Sequence, residues 1–208
     1  GSTVGMKQFV ICAAILAAPM SFAGCKPSNA PGLFHPQGQP QTLDEWHVLS
    51  SDGKRLSFNQ GVEPYALNTA LFSDYAHKLR TIWMPEGTKA KYDATEAFDF
   101  PVGTIISKTF YYPRAKDGTV LRVAEQKGES ADGLDLTKVR MIETRLLVRR
   151  EAGWVALPYV WNEEQTVATL ARAGDTVPLT MHKPDGSAKT SFAYMVPDEN
   201  QCAGCHST

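Results

Sequence analysis

The stretch that most constrains the fold of this chain runs from Val139 to Trp161. Val139 to Arg150 reads as one long strand. Arg140, Ile142, Thr144, Leu146 and Val148 fall on one side of it, and Met141, Glu143, Arg145 and Leu147 on the other. Glu151-Ala152-Gly153 turns the chain, and Trp154 to Trp161 returns to complete a hairpin. Other segments follow the same rules. Lys78 to Met84 is a strand ended by Pro85-Glu86-Gly87. Phe98-Asp99-Phe100 leads through Pro101-Val102-Gly103 into Thr104 to Tyr112, dense in β-branched and aromatic residues and stopped by Pro113. Thr176 to Met181 and Thr190 to Val196 pair around Pro184-Asp185-Gly186. Helical patterning is scarce, with Asn68 to Lys78 and Glu163 to Ala173 as the two candidates. The predicted fold class is therefore mainly β, an antiparallel sandwich or partly open barrel, with a short C-terminal helix start.

The N-terminal region reads as an export signal. Met6-Lys7-Gln8 is a natural start with Lys7 as the positive region, and Phe9 to Ala18 is an apolar run too short to span a bilayer. Gly1 to Gly5 reads as an expression remnant or an upstream mis-start. Two processing sites overlap after the apolar run. Ser21-Phe22-Ala23 fits ordinary signal cleavage, whereas Phe22-Ala23-Gly24-Cys25 resembles a bacterial lipobox that would lipidate Cys25. A free thiol just after the cut would be out of place in an oxidising compartment, which favours lipidation of Cys25. Lys26 after Cys25 favours sorting to the outer membrane, with a soluble periplasmic protein as the alternative. The segments expected are a signal peptide over 1–24, a flexible Pro- and Gly-rich tether over 25–45, a β-rich domain over 46–197 and a terminal segment over 198–208. The net charge of −1 comes without a basic stripe, which argues against nucleic acid as a partner.

The terminal segment carries the chemistry. Cys202-Ala203-Gly204-Cys205-His206 is a C-x-x-C-H pattern, in which two thiols add across the vinyl groups of a haem and the adjacent imidazole ligates its iron. With Cys12 removed in the signal and Cys25 lipidated, Cys202 and Cys205 are the pair that remains. Pro197 ends the preceding strand, and Asp198 with Gln201 three residues on forms a capping-box pattern. A helix starting there carries the cysteines on its first turns. Two other chemistries fit less well. A thioredoxin-type pair belongs after a buried strand in a βαβ unit. A zinc site needs a fourth ligand, and adjacent Cys205 and His206 chelate one tetrahedral ion awkwardly. His206 is then the proximal ligand, and only Ser207 and Thr208 follow it. A distal ligand must come from upstream or from another chain. Met181 and His182, beside a turn, head the candidates, followed by Met195, Met84 and His77. A five-coordinate or water-ligated iron is the alternative.

The body offers no G-x-S-x-G, H-E-x-x-H or P-loop. Glu163-Glu164 is a weak acid–base pair, because neighbours on a helix point apart. Leu71 to Lys78 reads as a capped helix end. Tyr111, Tyr112, Trp154, Tyr159 and Trp161 read as core and sheet surface before pocket lining.

Several of these stretches together resemble a family of uncharacterised exported bacterial cytochrome c-like proteins. They are Ala70 to Arg80, Phe98 to Thr104, Lys108 to Tyr112, Ile142 to Leu147, Trp154 to Gln165, and Asn200-Gln201-Cys202. The resemblance spans about Leu67 to His206. It implies a periplasmic or outer-membrane haem protein, with Cys202, Cys205 and His206 as haem attachment and ligation and no catalytic residue. Longer members continue into a further cytochrome region, so this chain reads as truncated after the motif or as covering its haem differently. The expected function is electron transfer through one covalent haem c to a periplasmic redox protein, with a homo-oligomer as one way to cover the haem. The alternatives are a haem-free β-sandwich binding module and a haem-containing subunit of a periplasmic dehydrogenase.

Overall fold

The long strand expected at Val139–Arg150 is present with those bounds and forms the spine of a mainly β protein together with its hairpin partner. The computed structural model describes residue 1 and residues 29–66, 76–93, 96–123, 128–183 and 185–204; side chains of 91–98 and 202–204 are not described. After a 3-10 turn at Leu43–Trp46, the strands in chain order are β1 (Leu49–Ser51), β2 (Arg55–Phe58), β3 (Glu63–Tyr65), β4 (His77–Trp83) and β5 (Lys91–Asp93). There follow β6 (Glu96–Asp99), β7 (Ile105–Pro113), β8 (Val120–Leu121), β9 (Glu129–Ser130) and β10 (Gly133–Asp135). The last are β11 (Val139–Arg150), β12 (Gly153–Trp161), β13 (Ala168–Leu170), β14 (Asp175–His182) and β15 (Lys189–Val196), ahead of the helix α1 (Glu199–Gly204).

Six strands in the order β13-β12-β11-β7-β4-β3 make an antiparallel central sheet. One face presents Leu79, Ile105, Tyr111, Leu146 and Tyr159 to Leu49, Leu56 and Leu134 of the sheet β1-β2-β10-β9. The opposite face presents Phe110, Tyr112 and Ile142 to Leu179, Tyr194 and Val196 of the sheet β15-β14-β8. Burial on these faces drives the stacking, at about 1.5–3 kcal/mol for each fully enclosed leucine. The result is a sandwich-like stack of sheets. Among the described residues the central sheet does not close on itself, since β13 and β3 stand at its two ends.

A β-bulge rearranges the face assignment of β11. Met141 pairs with Tyr111 and the next partner, Phe110, pairs with Glu143, so Ile142 is the extra residue. Strict alternation groups Ile142 with Leu146 and Val148. The bulge instead moves Ile142 to the opposite core, with Phe110 and Tyr112, while Met141 joins Leu146 and Val148. Gln165 completes the interrupted ladder. Its side-chain amide donates to Met141 O at 3.0 Å, and its carbonyl accepts from Met141 N at 2.6 Å.

Two expectations are corrected here. The segment expected as a flexible tether is, from residue 30 on, strapped to the domain. Leu33 N donates to Trp46 O (2.8 Å) and Leu170 N to Gln41 O (2.8 Å). Trp46 Nε1 donates to Tyr159 Oη (2.9 Å), which donates in turn to Pro40 O (2.8 Å). Gly32 is pressed so closely on Trp83 that a Cβ there would lie 2.4 Å from the indole ring. The segment Glu163 to Ala173, expected as helix, is a loop leading into β13. Asn162 Oδ1 accepts from Thr166 N (2.8 Å) and Val167 N (3.1 Å), closing a turn, and Gln165 sits at φ 62°. Of the other expected helix, Asn68 to Lys78, residues 77 and 78 belong to β4 and 67–75 lie outside the described residues.

Candidate functional site

The approach to the C-x-x-C-H motif is fixed by a succession of local devices. β14 and β15 pair along their whole length, from Asp175 opposite Val196 to His182 opposite Lys189. Gly174 permits the tight entry: it has φ +77°, and a Cβ there would lie 2.5 Å from Val196 O. Pro197 then ends β15. Asp198 and Gln201 form the expected reciprocal capping box, Gln201 N donating to Asp198 Oδ1 at 2.7 Å and Asp198 N to Gln201 Oε1 at 3.0 Å. Arg172 clamps the next residue, its Nη2 2.9 Å and Nε 3.1 Å from the Glu199 carboxylate, while Glu199 N donates to Arg172 O at 3.0 Å. The helix α1 so started packs against β12. Cys202 lies on it; the Cys202 side chain and the whole of Cys205 and His206 lie outside the described residues, as does Cys25. Among the described residues, no group of three His, Cys, Asp or Glu is placed to hold a metal ion, and no helix is long and apolar enough to cross a membrane.

The candidate distal ligands are not equivalent in this fold. Met181 and His182 stand at the end of the β14–β15 hairpin remote from α1, about 20 Å along the strand at roughly 3.3 Å per residue. His182 Nε2 lies 3.1 Å from Asp117 Oδ2, which also accepts from Lys189 Nζ at 2.8 Å. Lys189, then Thr119 and His182, hold the Asp117 carboxyl well below the usual carboxylate range. His77 is buried with Nε2 2.8 Å from Val123 O. Met195 is different: it is 68% exposed and sits two residues before Pro197, at the end of β15 that feeds α1.

Beside Met195 the central sheet carries a group of side chains that the sequence reading did not single out. Glu143 is fully buried, and its Oε1 accepts from Arg145 Nε (3.0 Å) and Tyr194 Oη (2.8 Å). Its Oε2 is buried without a hydrogen-bond partner. Register places Arg80, Lys108 and Arg145 directly opposite one another on β4, β7 and β11, with Lys78, Phe110 and Glu143 in the neighbouring row. The Arg145 guanidinium lies 4.2 Å from the centre of the Phe110 ring. Lys78, Lys108, Phe110, Arg145, Phe192 and Met195 line a pocket of about 250 Å³. The available signal was the pair of opposite charges, Glu143 and Arg145, between Met141 and Leu147 on one side of the strand.

The remaining sequence candidates are structural or exposed. Tyr111, Tyr112, Tyr159 and Trp161 are buried, whereas Trp154 is exposed with Phe100 edge-on to it at 5.9 Å. Glu163 and Glu164 are exposed in their loop. Comparisons of this chain with protein families, with curated proteins and with solved structures return no match.

Proposed function

We propose that this chain is an exported c-type cytochrome-like electron-transfer protein. One haem is bound covalently through Cys202 and Cys205, with His206 on its iron. The observation that carries the reading is the placement of the motif's first cysteine on a helix whose start is fixed by Asp198, Gln201 and Arg172. The donor set fits a haem: two thiols spaced for two vinyl groups, an adjacent imidazole, and an exposed thioether, Met195, at the same end of the hairpin. Haem supplies a one-electron couple, and the chain's part is to fix its position and tune its potential by ligation and burial.

The leader and the attachment chemistry together support export to the periplasm. Lipid on Cys25 would anchor the domain to the outer membrane, with the packed segment from residue 30 limiting the reach of the anchor. The electron partner is then another periplasmic redox protein. The test is co-expression of the intact chain with a haem c maturation system, followed by a pyridine haemochrome spectrum and an intact mass. One covalent haem per chain is expected. A folded chain with both thiols free or joined to each other, and no haem, would overturn the reading.

A further inference from the structure

One end of the central sheet is apolar at its surface. Among the described residues six large apolar side chains are exposed, and three of them, Leu33, Val102 and Trp154, lie at this end, each between 36% and 45% accessible. Here β4 and β11 finish, β7 and β12 begin, and the strapped segment from residue 30 crosses all of them. Gly32 lies against Trp83 at the end of β4, and a Cβ on Gly103, ahead of β7, would lie 3.7 Å from Phe34. At the end of β11, Arg150 donates through Nη2 to Gly38 O at 2.6 Å. Gly103 N donates to Arg149 O at 2.8 Å, which joins the turn carrying Val102 to the same strand end. Trp154 pairs with Arg149, and Phe100 stands edge-on to it at 5.9 Å. Charge at this end is balanced. Arg149 and Arg150 are bonded to backbone carbonyls, and Glu86, Lys89 and Glu151 are exposed in the flanking turns. Apolar side chains around a tryptophan, with basic side chains at the rim, suit the interfacial layer of a bilayer.

The path of the chain brings a membrane to this end. Ala30 O accepts from Asn59 Nδ2 at 3.0 Å, and Pro31 bridges to Gln60, whose neighbour Gly61 packs on Trp83. The segment therefore leaves the domain beside the end of β4. Cys25 lies five residues before Ala30, at most about 18 Å of extended chain. Resting on the reading of Cys25 as lipidated, we propose that this end of the domain docks on the bilayer. Leu33, Val102 and Trp154 enter its interfacial layer, and the strands of the central sheet run away from the membrane. The lipid supplies the affinity, and the docked end fixes an orientation that a free tether would leave open.

The test uses the mature chain in vesicles of phosphatidylethanolamine and phosphatidylglycerol, a part of which is brominated on its acyl chains. Intact mass reports the lipid on Cys25, quenching of tryptophan fluorescence reports contact with the bilayer, and far-ultraviolet circular dichroism reports folding. Wild type should lose fluorescence in the brominated vesicles, and Trp154→Phe should remove most of that loss. Leu33→Asn and Val102→Asn should each lower the quenching at least about twofold, and the double variant further. Val167→Asn should leave it as in wild type, since Val167 is equally exposed but stands beside Ala168, opposite Trp161 at the far end of β12. Should one Asn variant misfold, the other and Trp154→Phe decide the outcome. A lipid-bearing chain without quenching, or with quenching that Val167→Asn lowers equally, overturns the docking and leaves the lipid reading standing. Absence of lipid from Cys25 overturns both. A second copy of the chain is the rival occupant. A dimer in detergent that Leu33→Asn/Val102→Asn separates, beside no quenching in vesicles, would give this end to self-association and overturn the bilayer as its partner.

Discussion

Tyr194 on β15 donates its hydroxyl to Glu143 on β11 across 2.8 Å, joining the outer hairpin to the central sheet at a buried carboxylate. The bond has more weight than an ordinary tyrosine contact, because Glu143 Oε2 has no partner and the charge is compensated through Oε1 alone, by Tyr194 and Arg145. Tyr194→Phe should cost about 1.5–3 kcal/mol, the range for a hydrogen bond to a charged group. The loss is read from the midpoint of urea unfolding. Burial, then Glu143, raises the phenol above its ordinary value. The folded chain therefore keeps this proton where the unfolded chain has lost it. The stabilisation is whole below pH about 10 and declines as pH rises from there toward the folded value. Wild type should thus lose stability more steeply above pH 10 than Tyr194→Phe; parallel profiles would contradict this assignment.

Tyr159 makes a second cross-link, between the N-terminal strap and the central sheet. It accepts from Trp46 Nε1 and donates to Pro40 O, and burial pushes its phenol up to about 12. Tyr159→Phe leaves the indole N–H and the carbonyl without this partner, at a cost of about 1–3 kcal/mol for each group that stays buried. The strap should be the first part to yield. Proteolysis with an enzyme of broad specificity should cut within residues 30–45 faster in Tyr159→Phe than in wild type, while the sheet resists. Equal cutting rates would show that the strap is held by its other contacts.

The strands were legible because each carries its own record of burial: β11 and β12 follow from alternation and a turn, whatever they pack against. The strap was not, because its partners are distant in sequence. Composition says that residues 26–41 cannot build a core, and says nothing of the hydroxyl of Tyr159 or the backbone of Leu170 waiting to receive them. Alternation puts Ile142 on the wrong face for a related reason, since a bulge is a property of two paired strands and leaves alternation intact along one. At the candidate site the C-x-x-C-H motif and the Asp198–Gln201 cap were readable locally. The row Arg80–Lys108–Arg145 was not, since it exists only once β4, β7 and β11 are in register.

The bulge makes a prediction through Gln165. Its amide serves both backbone groups of Met141 where β12 no longer runs alongside, and it also donates to Asn162 O at 2.9 Å. Gln165→Ala strands the buried N–H and C=O of Met141. The expected loss is about 1–3 kcal/mol per unsatisfied group, less whatever water recovers. Hydrogen exchange gives the local readout: the Met141 amide should exchange many times faster in Gln165→Ala, while amides of Leu146 and Val148 change only with global stability. An unaltered Met141 rate would show that another group takes over the bond.

The cap of α1 connects fold and proposed chemistry. Asp198 and Gln201 satisfy each other's backbone N–H, so each holds one of the donors that a helix of this length could not otherwise keep ordered. Replacing a capping Asp by Ala costs about 1 kcal/mol of helix stability. The β sheets do not depend on α1 for their pairing, so Asp198→Ala should leave the unfolding midpoint of the domain nearly unchanged. Haem attachment depends on presenting two thiols and an imidazole together. If attachment follows the population of the capped helix, a cost of about 1 kcal/mol corresponds to a roughly fivefold fall in that population. The haem-to-protein ratio after limited maturation time should fall accordingly in Asp198→Ala, less in Asp198→Asn, which can still cap. Glu199→Gln weakens the Arg172 clamp from the other side and should lower the ratio further when combined with Asp198→Ala. Equal haem ratios in all these variants would show that the maturation machinery recognises the motif in an extended chain, before α1 forms.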